Sequence, residues 1–208
     1  MRQYPILFLI ISSCLLFSSC AVKTVDGLAK TEKASEHFHA PYFSDSNKDY
    51  IYKASIAVYG RDFGGIFIAK KVNDTLYRAA FTTEFGNKLF DFEITDDSFK
   101  VKYILDELNK KIVVNTLKRD FMLLLKQQHE VVAGYEDDKN SVLKCKDGKR
   151  YNYLFTDKAT GQLQKLVNAT KSKEKTIITY TAKNDILAQN IVIDHKNLQL
   201  RIELNYIE

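Results

Sequence analysis

Hydrophobic and polar residues alternate along most of the chain from residue 50 onward. Between Tyr52 and Val58 every second side chain is strongly apolar or aromatic, whereas Lys53 and Ser55 between them are polar. A period of two indicates a β-strand with one buried face. Four similar runs follow, and because only a few turn residues separate them, an antiparallel meander is predicted. The five predicted strands cover Tyr52–Val58, Phe63–Lys71, Thr75–Thr83, Phe90–Ile94 and Phe99–Tyr103.

The period changes between Leu105 and Leu125. Apolar residues there recur mostly at spacings of three to five, and lysines and arginines occupy other positions around the turn. This pattern is typical of one amphipathic helix. Because Val113 and Val114 are both β-branched, the helix is expected to break or bend near them. Alternation then resumes and predicts further strands over Val142–Lys144, Arg150–Phe155, Leu163–Ala169, Thr176–Ala182, Ile186–Asp194 and Leu198–Tyr206.

Strands with one apolar and one polar face form either two packed sheets or one strongly curved sheet. The composition favours the curved sheet, since the chain has 13 Phe and 12 Tyr but no Trp, and only Pro41 lies beyond residue 19. The helix in mid-chain is placed to fill a half-open barrel, and Gly64-Gly65 inside a strand suits a bend. The predicted fold is mainly β, an antiparallel, strongly curved half-open β-barrel of about 11 strands with one main amphipathic helix.

The first twenty residues have the three-part pattern of a secretory signal. Arg2 precedes an apolar run over residues 5–11, and two serines precede Cys20. The apolar region is shorter than the roughly 20 residues that a transmembrane helix needs, so we expect it to be cleaved. The end of this segment resembles the lipobox of bacterial lipoproteins, although Phe17 stands where leucine is more common. Cleavage before Cys20 and acylation of that residue are predicted, with a register ending at Cys14 and an ordinary secretory signal as alternatives.

Three segments are therefore expected: a lipoprotein signal peptide over residues 1–19, a flexible polar tether over residues 20–48, and a half-barrel domain over residues 49–208. The formal net charge is +5, and removal of one cation with the signal peptide leaves 5 − 1 = +4. This excess is too small to indicate nucleic-acid binding. Once Cys20 is acylated, Cys145 has no partner, so no disulfide scaffold is expected.

A short motif suggests a family. The segment from Leu76 to Leu89 contains a strand, a threonine, the dipeptide Phe85-Gly86 at a hairpin tip, and the start of a second strand. Together with the strand at 53–58, it resembles the LolB family of outer-membrane lipoproteins, which receive other lipoproteins and insert them into the membrane. The resemblance covers roughly residues 50–125, and the second half of the chain matches in strand order only.

The resemblance implies a half-open barrel with a helical lid and an apolar cavity for acyl chains, a fold shared with the periplasmic LolA carriers. It also implies that Phe85, next to Gly86, protrudes and helps to deliver cargo to the membrane, although Glu84 stands where the family often has proline. An exposed phenylalanine forgoes about 1.5 to 3 kcal/mol of burial unless the tip enters lipid. The alternative is that Phe85 folds back under the sheet. The expected cavity lining is Ile56, Val58, Phe67, Phe90, Phe92, Val101, Tyr103, Leu200, Ile202 and Leu204.

The resulting hypothesis is a membrane-anchored protein that binds lipid or lipoprotein acyl chains and delivers them to the outer membrane. It is expected on the periplasmic side of that membrane, held by acylated Cys20, with a LolA-like periplasmic carrier as a candidate partner. The rival hypothesis is a structural envelope lipoprotein that acts as a protein-interaction scaffold and has a filled core.

No enzymatic activity, cofactor or metal is expected. The sequence has no nucleophile elbow, no phosphate-binding glycine loop and no Cys-x-x-Cys motif. His37 and His39 have no cysteine or carboxylate cluster at ligand spacing nearby, so they are expected to be solvated. Cys145 has no base or second thiol nearby in the sequence and is expected to be a half-buried or incidental cysteine.

Overall fold

The computed structural model describes residues 23–32 and 35–207, so the predicted signal peptide and Cys20 lie outside the described residues. Within them are one α-helix, α1 (Lys111–Leu125), and a short 3-10 turn at Lys23–Val25. No helix in these two ranges is long and apolar enough to span a membrane. The strands are β1 (Ala29–Thr31), β2 (His37–His39), β3 (Asp49–Val58), β4 (Arg61–Lys71), β5 (Tyr77–Thr82), β6 (Lys88–Ile94), β7 (Phe99–Ile104), β8 (Gln128–Glu136), β9 (Asn140–Asp147), β10 (Arg150–Asp157), β11 (Leu163–Ala169), β12 (Glu174–Asn184), β13 (Leu187–His195) and β14 (Leu200–Tyr206).

All of these strands belong to one antiparallel sheet, which is curved but not closed into a barrel. β3 to β7 form one meander, β8 to β14 form a second, and the two meanders join where β14 pairs with β3. β7 lies at one edge, and β8 lies near the other, where β1 and β2 pair with it. The predicted half-open antiparallel fold with one main helix is confirmed. Because α1 follows β7 and precedes β8, it connects the two sides of the opening.

The alternation of buried and exposed side chains in β3 shows why one face of the sheet is apolar and buried. Tyr52, Ile56 and the other alternate residues of this strand are buried, and the residues between them face outward. The register places Phe67 beside Tyr52, so the buried face continues into β4. A β-carbon at Gly65 would lie 1.9 Å from the carbonyl oxygen of Thr82. Only glycine permits this close approach of β4 and β5, in the strand where the sequence predicted a bend.

The helix packs against the concave face, where a sandwich would have a second sheet. The Phe121 ring stacks on Phe67 at 5.1 Å between centroids and lies 5.3 Å from Phe90. The helix begins at Lys111, so the prediction that it begins near Leu105 is wrong. The Leu105 amide donates a hydrogen bond to the Leu89 carbonyl at 2.8 Å, which continues the β6–β7 pairing instead. The predicted break near Val113 is also wrong, because the valines lie in the first turn of an unbroken helix.

Part of the predicted tether is folded onto the sheet. β1 and β2 pair with β8, and Phe43 is completely buried against Tyr50 and Tyr52. The Tyr42 hydroxyl donates a hydrogen bond to the Leu163 carbonyl at 2.9 Å. For the residues that the structure describes, the flexible-tether prediction is therefore corrected. Strands of three residues are too short to show a period, which is why the pattern indicated no structure there.

The strand β8 was also absent from the prediction. Its register shifts between Val131 and Ala133, where it pairs with β9. This irregularity interrupts the alternation of buried and exposed residues, so the sequence shows no clear period of two.

Candidate functional site

Eight of the ten predicted lining residues are buried in the sheet: Ile56, Val58, Phe67, Phe90, Phe92, Leu200, Ile202 and Leu204. They share one hydrophobic cluster with Leu117 and Phe121 of α1. The interior is thus occupied by the helix. In this closed arrangement the predicted lining residues form a packed core beneath α1, and a hydrocarbon chain would have to take the place of α1 side chains.

Val101 and Tyr103 are not buried in the predicted lining, and only Tyr103 leaves the concave face. They are 39% and 43% exposed, respectively. A register shift between Asp91 and Phe92 places Tyr103 beside Asp91, whereas Val101 pairs with Phe92. The two residues therefore do not share a face, as regular alternation would require. Val101 remains on the inward side, but β7 is the edge strand and leaves it open to solvent.

The predicted hairpin tip lies between β5 and β6, and Phe85 is 93% exposed. Gly86 has φ of +85°, which glycine adopts without strain. Its amide donates to the Thr83 carbonyl at 2.9 Å, and the Thr83 amide donates to the Asn87 carbonyl at 2.8 Å. The Glu84 carboxylate lies 3.2 Å from the Lys53 ammonium, which offsets its charge. Phe85 does not fold back under the sheet, and its contact with a membrane stays a prediction.

A row of five buried residues, four of them with polar side chains, crosses the second half of the concave face. Each member sits directly beside the next in adjacent strands, and the Asn168 side-chain amide donates to the Asn152 amide oxygen at 2.7 Å. Sequence analysis missed this row because its members lie on five separate strands and only the register brings them together. The row consists of Cys145, Asn152, Asn168, Thr176 and His195.

The end of this row bonds to α1. His195 Nε2 lies 2.9 Å from Asp120 Oδ1, and His195 Nδ1 lies 2.8 Å from the Leu200 carbonyl oxygen. Because a carbonyl only accepts, Nδ1 carries a proton. Burial by itself would lower the pKa of His195, but the hydrogen bond and charge of Asp120 outweigh it and raise that pKa. Burial raises the pKa of Asp120 despite His195 and Arg119 nearby. This pair forms a buried polar contact between the helix and the sheet.

A cavity of about 290 Å³ lies beside this contact, between α1 and strands β9 to β12. Arg150 donates to the Asn168 side-chain oxygen at 2.9 Å. Asp147 accepts from Lys126 and from the Asn168 amide, each at 3.2 Å. A smaller cavity of about 60 Å³ adjoins it next to Asp120 and His195 and shares Arg119, Arg150 and Thr176 with it. The lining of the larger cavity is Asp96, Arg119, Met122, Leu123, Lys126, Asp147, Arg150, Asn168 and Thr176.

Cys145 and the three histidines outside this row line neither of the two cavities. Cys145 is fully buried, beyond the half-buried position expected, and burial raises the pKa of its thiol to about 12. His129 is buried in β8, and burial lowers its pKa to about 4. His37 and His39 both face solvent on β2.

No protein-family model and no curated protein matches the sequence. Solved structures resemble the fold. A LolA superfamily protein from Nitrosomonas europaea aligns over 81% of this chain and 88% of its own, with a TM-score of 0.53 and 8% identity. A putative outer membrane lipoprotein-sorting protein domain from Vibrio parahaemolyticus aligns over 77% of this chain and 83% of its own, with a TM-score of 0.50 and 10% identity. Identity this low identifies the fold and leaves the activity open. The chain has a LolA/LolB-like fold, as the hairpin motif predicted.

Proposed function

We propose that the protein is a membrane-anchored carrier that binds acyl chains on its concave face and delivers the attached lipid or lipoprotein to the outer membrane. One observation carries this proposal: a single helix covers the apolar face of an open sheet. α1 joins the sheet through short connections at both ends, residues 105–110 and 126–127. In the proposed cycle α1 moves aside while the hydrogen bonds within the strands stay in place.

In the proposed cycle, contacts between a hydrocarbon chain and the sheet replace the contacts between α1 and the sheet. When α1 moves, Phe67 and Phe90 lose their contacts with Phe121. A hydrocarbon chain restores that apolar contact at about 0.8 kcal/mol per buried methylene, or roughly 10 kcal/mol for a dozen methylenes. Release requires a competing apolar phase, which a lipid bilayer provides. No nucleotide is needed for this cycle.

The proposed orientation places the acylated Cys20 and Phe85 toward the same membrane. Thr24 donates a hydrogen bond to Glu174 at 2.7 Å, at the start of β12. By strand direction, the turn before β12 and the tip that carries Phe85 belong to the same end of the antiparallel sheet. This supports an anchor and a tip that act on one bilayer, which we propose is the outer membrane approached from its periplasmic side. A LolA-like carrier is the proposed donor of the cargo.

The scaffold hypothesis also has an observation in its favour. The Phe67 and Phe121 rings stack with an interplanar angle of 11°, and the predicted lining residues are in close contact beneath the helix. If this core never opens, the domain acts through its outer face or its sheet edges.

Uptake of a fluorescent fatty acid separates the two functions. The carrier account expects saturable binding, with displacement by a triacylated peptide. The control is the same protein after thermal unfolding and refolding. If both preparations bind the fatty acid equally, misfolded protein in the first preparation does not explain the uptake. Absence of saturable uptake by the folded protein would remove the carrier function and leave the scaffold.

A further inference from the structure

We infer that the cavity between α1 and strands β9 to β12 is a binding site for a phosphate-like anionic headgroup, held by the guanidinium groups of Arg119 and Arg150. The source of this anion rests on the proposed function: the headgroup belongs to the same amphiphile whose acyl chain binds the concave face. The anion site itself is defined by the residues of the cavity.

Two like charges lie on opposite walls of this cavity. Arg119 projects from α1 and Arg150 from the start of β10, and both line the larger and the smaller cavity. Burial lowers the pKa of Arg150, the positive charge of Arg119 lowers it further, and the negative charge of Asp147 offsets part of this effect. The two guanidinium groups therefore repel each other in the closed structure. An anion between them converts that repulsion into two attractive contacts.

The two arginines have unused donors. Within the described residues neither has a carboxylate within ion-pair distance, since Arg150 donates to Asn168 at 2.9 Å and Arg119 only to the Asn115 carbonyl at 3.3 Å. By contrast, Arg78 binds Asp91 through two nitrogens at 3.0 and 2.8 Å. A guanidinium has five N–H donors in a planar fork that matches phosphate oxygens. Arg119 and Arg150 thus have the charge and the geometry to bind one anion together.

The acidic residues of the cavity offset only part of the positive charge of the pair. Asp147 is engaged by Lys126 and Asn168, and Asp120 is engaged by His195. Asp96 is the other acid in the lining of the larger cavity, which has three basic residues against two acidic ones. In the smaller cavity, Lys175 adds a further cation beside Asp120. A formal positive charge remains for a ligand to balance.

The size and walls of the cavity indicate a headgroup. About 290 Å³ lies at the small end of the range for ligand pockets, too little for a whole lipid. Thr176 and Asn168 give polar walls, and Met122 and Leu123 of α1 give an apolar side. The same helix places Phe121 against the aromatic face. An amphiphile with its head in this cavity is therefore positioned to extend its chain along α1.

The test titrates the full chain with three probes: inorganic phosphate, glycerol 3-phosphate, and a short-chain phosphatidylglycerol below its micelle concentration. Arg119→Gln and Arg150→Gln are each expected to weaken binding about tenfold or more, because each removes charge-assisted hydrogen bonds to the anion. Arg61→Gln, which alters an exposed arginine at the start of β4, is the matched control and is expected to leave binding unchanged. Arg119→Lys keeps the charge without the fork and is expected to restore part of the affinity.

The outcomes are distinct. Tighter binding of phosphatidylglycerol than of either soluble phosphate identifies a lipid head, whereas equal binding of inorganic phosphate identifies a site for the free anion. If none of the three probes binds, or if binding survives the double Arg119→Gln, Arg150→Gln substitution in a folded protein, the inference is wrong. Because glycerol 3-phosphate has no acyl chain, its binding is independent of fatty-acid uptake. Loss of one therefore does not imply loss of the other.

Discussion

The two halves of the sheet present different surfaces to the same helix. In the half formed by β3 to β7, Phe67, Phe90 and Phe92 contact Phe121 through their rings. In the half formed by β8 to β14, a row of polar residues ends at His195, which binds the residue before Phe121 on α1. Neighbouring residues of a helix point about 100° apart. The helix is thus held by apolar contact on one side and by a buried hydrogen bond on the other.

Because of this difference, the apolar contact and the polar contact of α1 weaken under different conditions. Hydrocarbon competes with the apolar contact directly, because any methylene replaces another at similar free energy. The polar contact responds instead to protonation of Asp120 and His195. In the proposed complex the tail of an amphiphile replaces the apolar contact, and its anionic head lies in the cavity next to the polar one.

The largest effect on stability is expected at the apolar contact. Phe121→Ala removes the ring that packs on Phe67 and should reduce the free energy of unfolding by about 3 to 5 kcal/mol. The same change opens space on the concave face, so fatty-acid uptake should persist or increase. Ile112→Ala, at a 49% exposed position of the same helix, should change stability by less than about 0.5 kcal/mol. Equal effects of the two substitutions in chemical denaturation would contradict the proposed role of Phe121.

A smaller loss is expected at the polar contact. Asp120→Asn removes the charge but keeps the shape, and we expect a loss of about 1 to 3 kcal/mol, because a charge-assisted hydrogen bond becomes a weaker neutral one. The control is Asp194→Asn, in an exposed pair with Arg201, where the change should fall below about 1 kcal/mol. A loss at Asp120 no greater than at Asp194 would show that the buried contact does not hold α1.

The pH dependence should also differ between the halves. The folded-state pKa of His195 is raised, so its stabilising contribution is complete below its ordinary pKa of 6.5 and is lost as pH rises through the raised value. The raised pKa of Asp120 has the same sign, and its contribution is lost as pH rises from about 3.8 through the raised value. Stability of the native chain should therefore decline above about pH 6.5, and this decline should be reduced in Asp120→Asn. A flat profile across that window for the native chain would exclude a charged pair.

A second pH effect belongs to the outer face of the first half. The Arg78 guanidinium, with help from Lys88, holds the pKa of Asp91 at about 2. A carboxyl with a lowered pKa stabilises the fold above its ordinary pKa of about 3.8 and loses that contribution as pH falls toward 2. Asp91→Asn should therefore reduce the dependence of stability on pH between about 4 and 2. An unchanged acid profile would show that this pair is not coupled to folding.

The smallest effect on stability, and the most specific one on function, is expected at Phe85. Phe85→Glu should leave the free energy of unfolding within about 0.5 kcal/mol, because the side chain is already exposed. It should abolish transfer of bound acyl cargo to liposomes while uptake remains. Ile186→Glu changes another exposed apolar side chain, in the turn between β12 and β13 at the opposite end of the strands. Transfer that is unchanged by Phe85→Glu, or lost equally in both variants, would remove the tip from the mechanism.

The two halves of the sheet also differ in how far their structure could be predicted from the sequence. The first meander was predicted well because its strands alternate regularly and short turns connect them. The tip at Phe85-Gly86 followed from the same local pattern. Tyr103 was misplaced because a bulge in strand pairing has no local signature in its own alternation. Val101 is exposed because β7 is an edge strand, and this position in the sheet cannot be read from the alternation either. The start of the helix was predicted too early because Leu105, which continues the sheet, also fits the helical spacing of apolar residues.

The polar side of the site was not predictable in this way. Asn152 and Asn168 each look like isolated polar residues between apolar or aromatic neighbours, and His195 looks like part of a polar turn after Asp194. Their common position depends on the pairing of β9 to β13, and the partner Asp120 comes from a different element. No single-sequence pattern indicates such a site, because its members share neither a period nor a neighbourhood along the chain.

The proposed displacement of α1 by an acyl chain can be followed by hydrogen exchange of the helix backbone amides. We expect that a saturating long-chain fatty acid accelerates exchange within residues 111–125 and leaves the amides of β3 and β14, which pair at the junction of the two meanders, protected as before. Fatty acid that binds while the α1 amides remain as protected as in the free protein would contradict displacement of the helix.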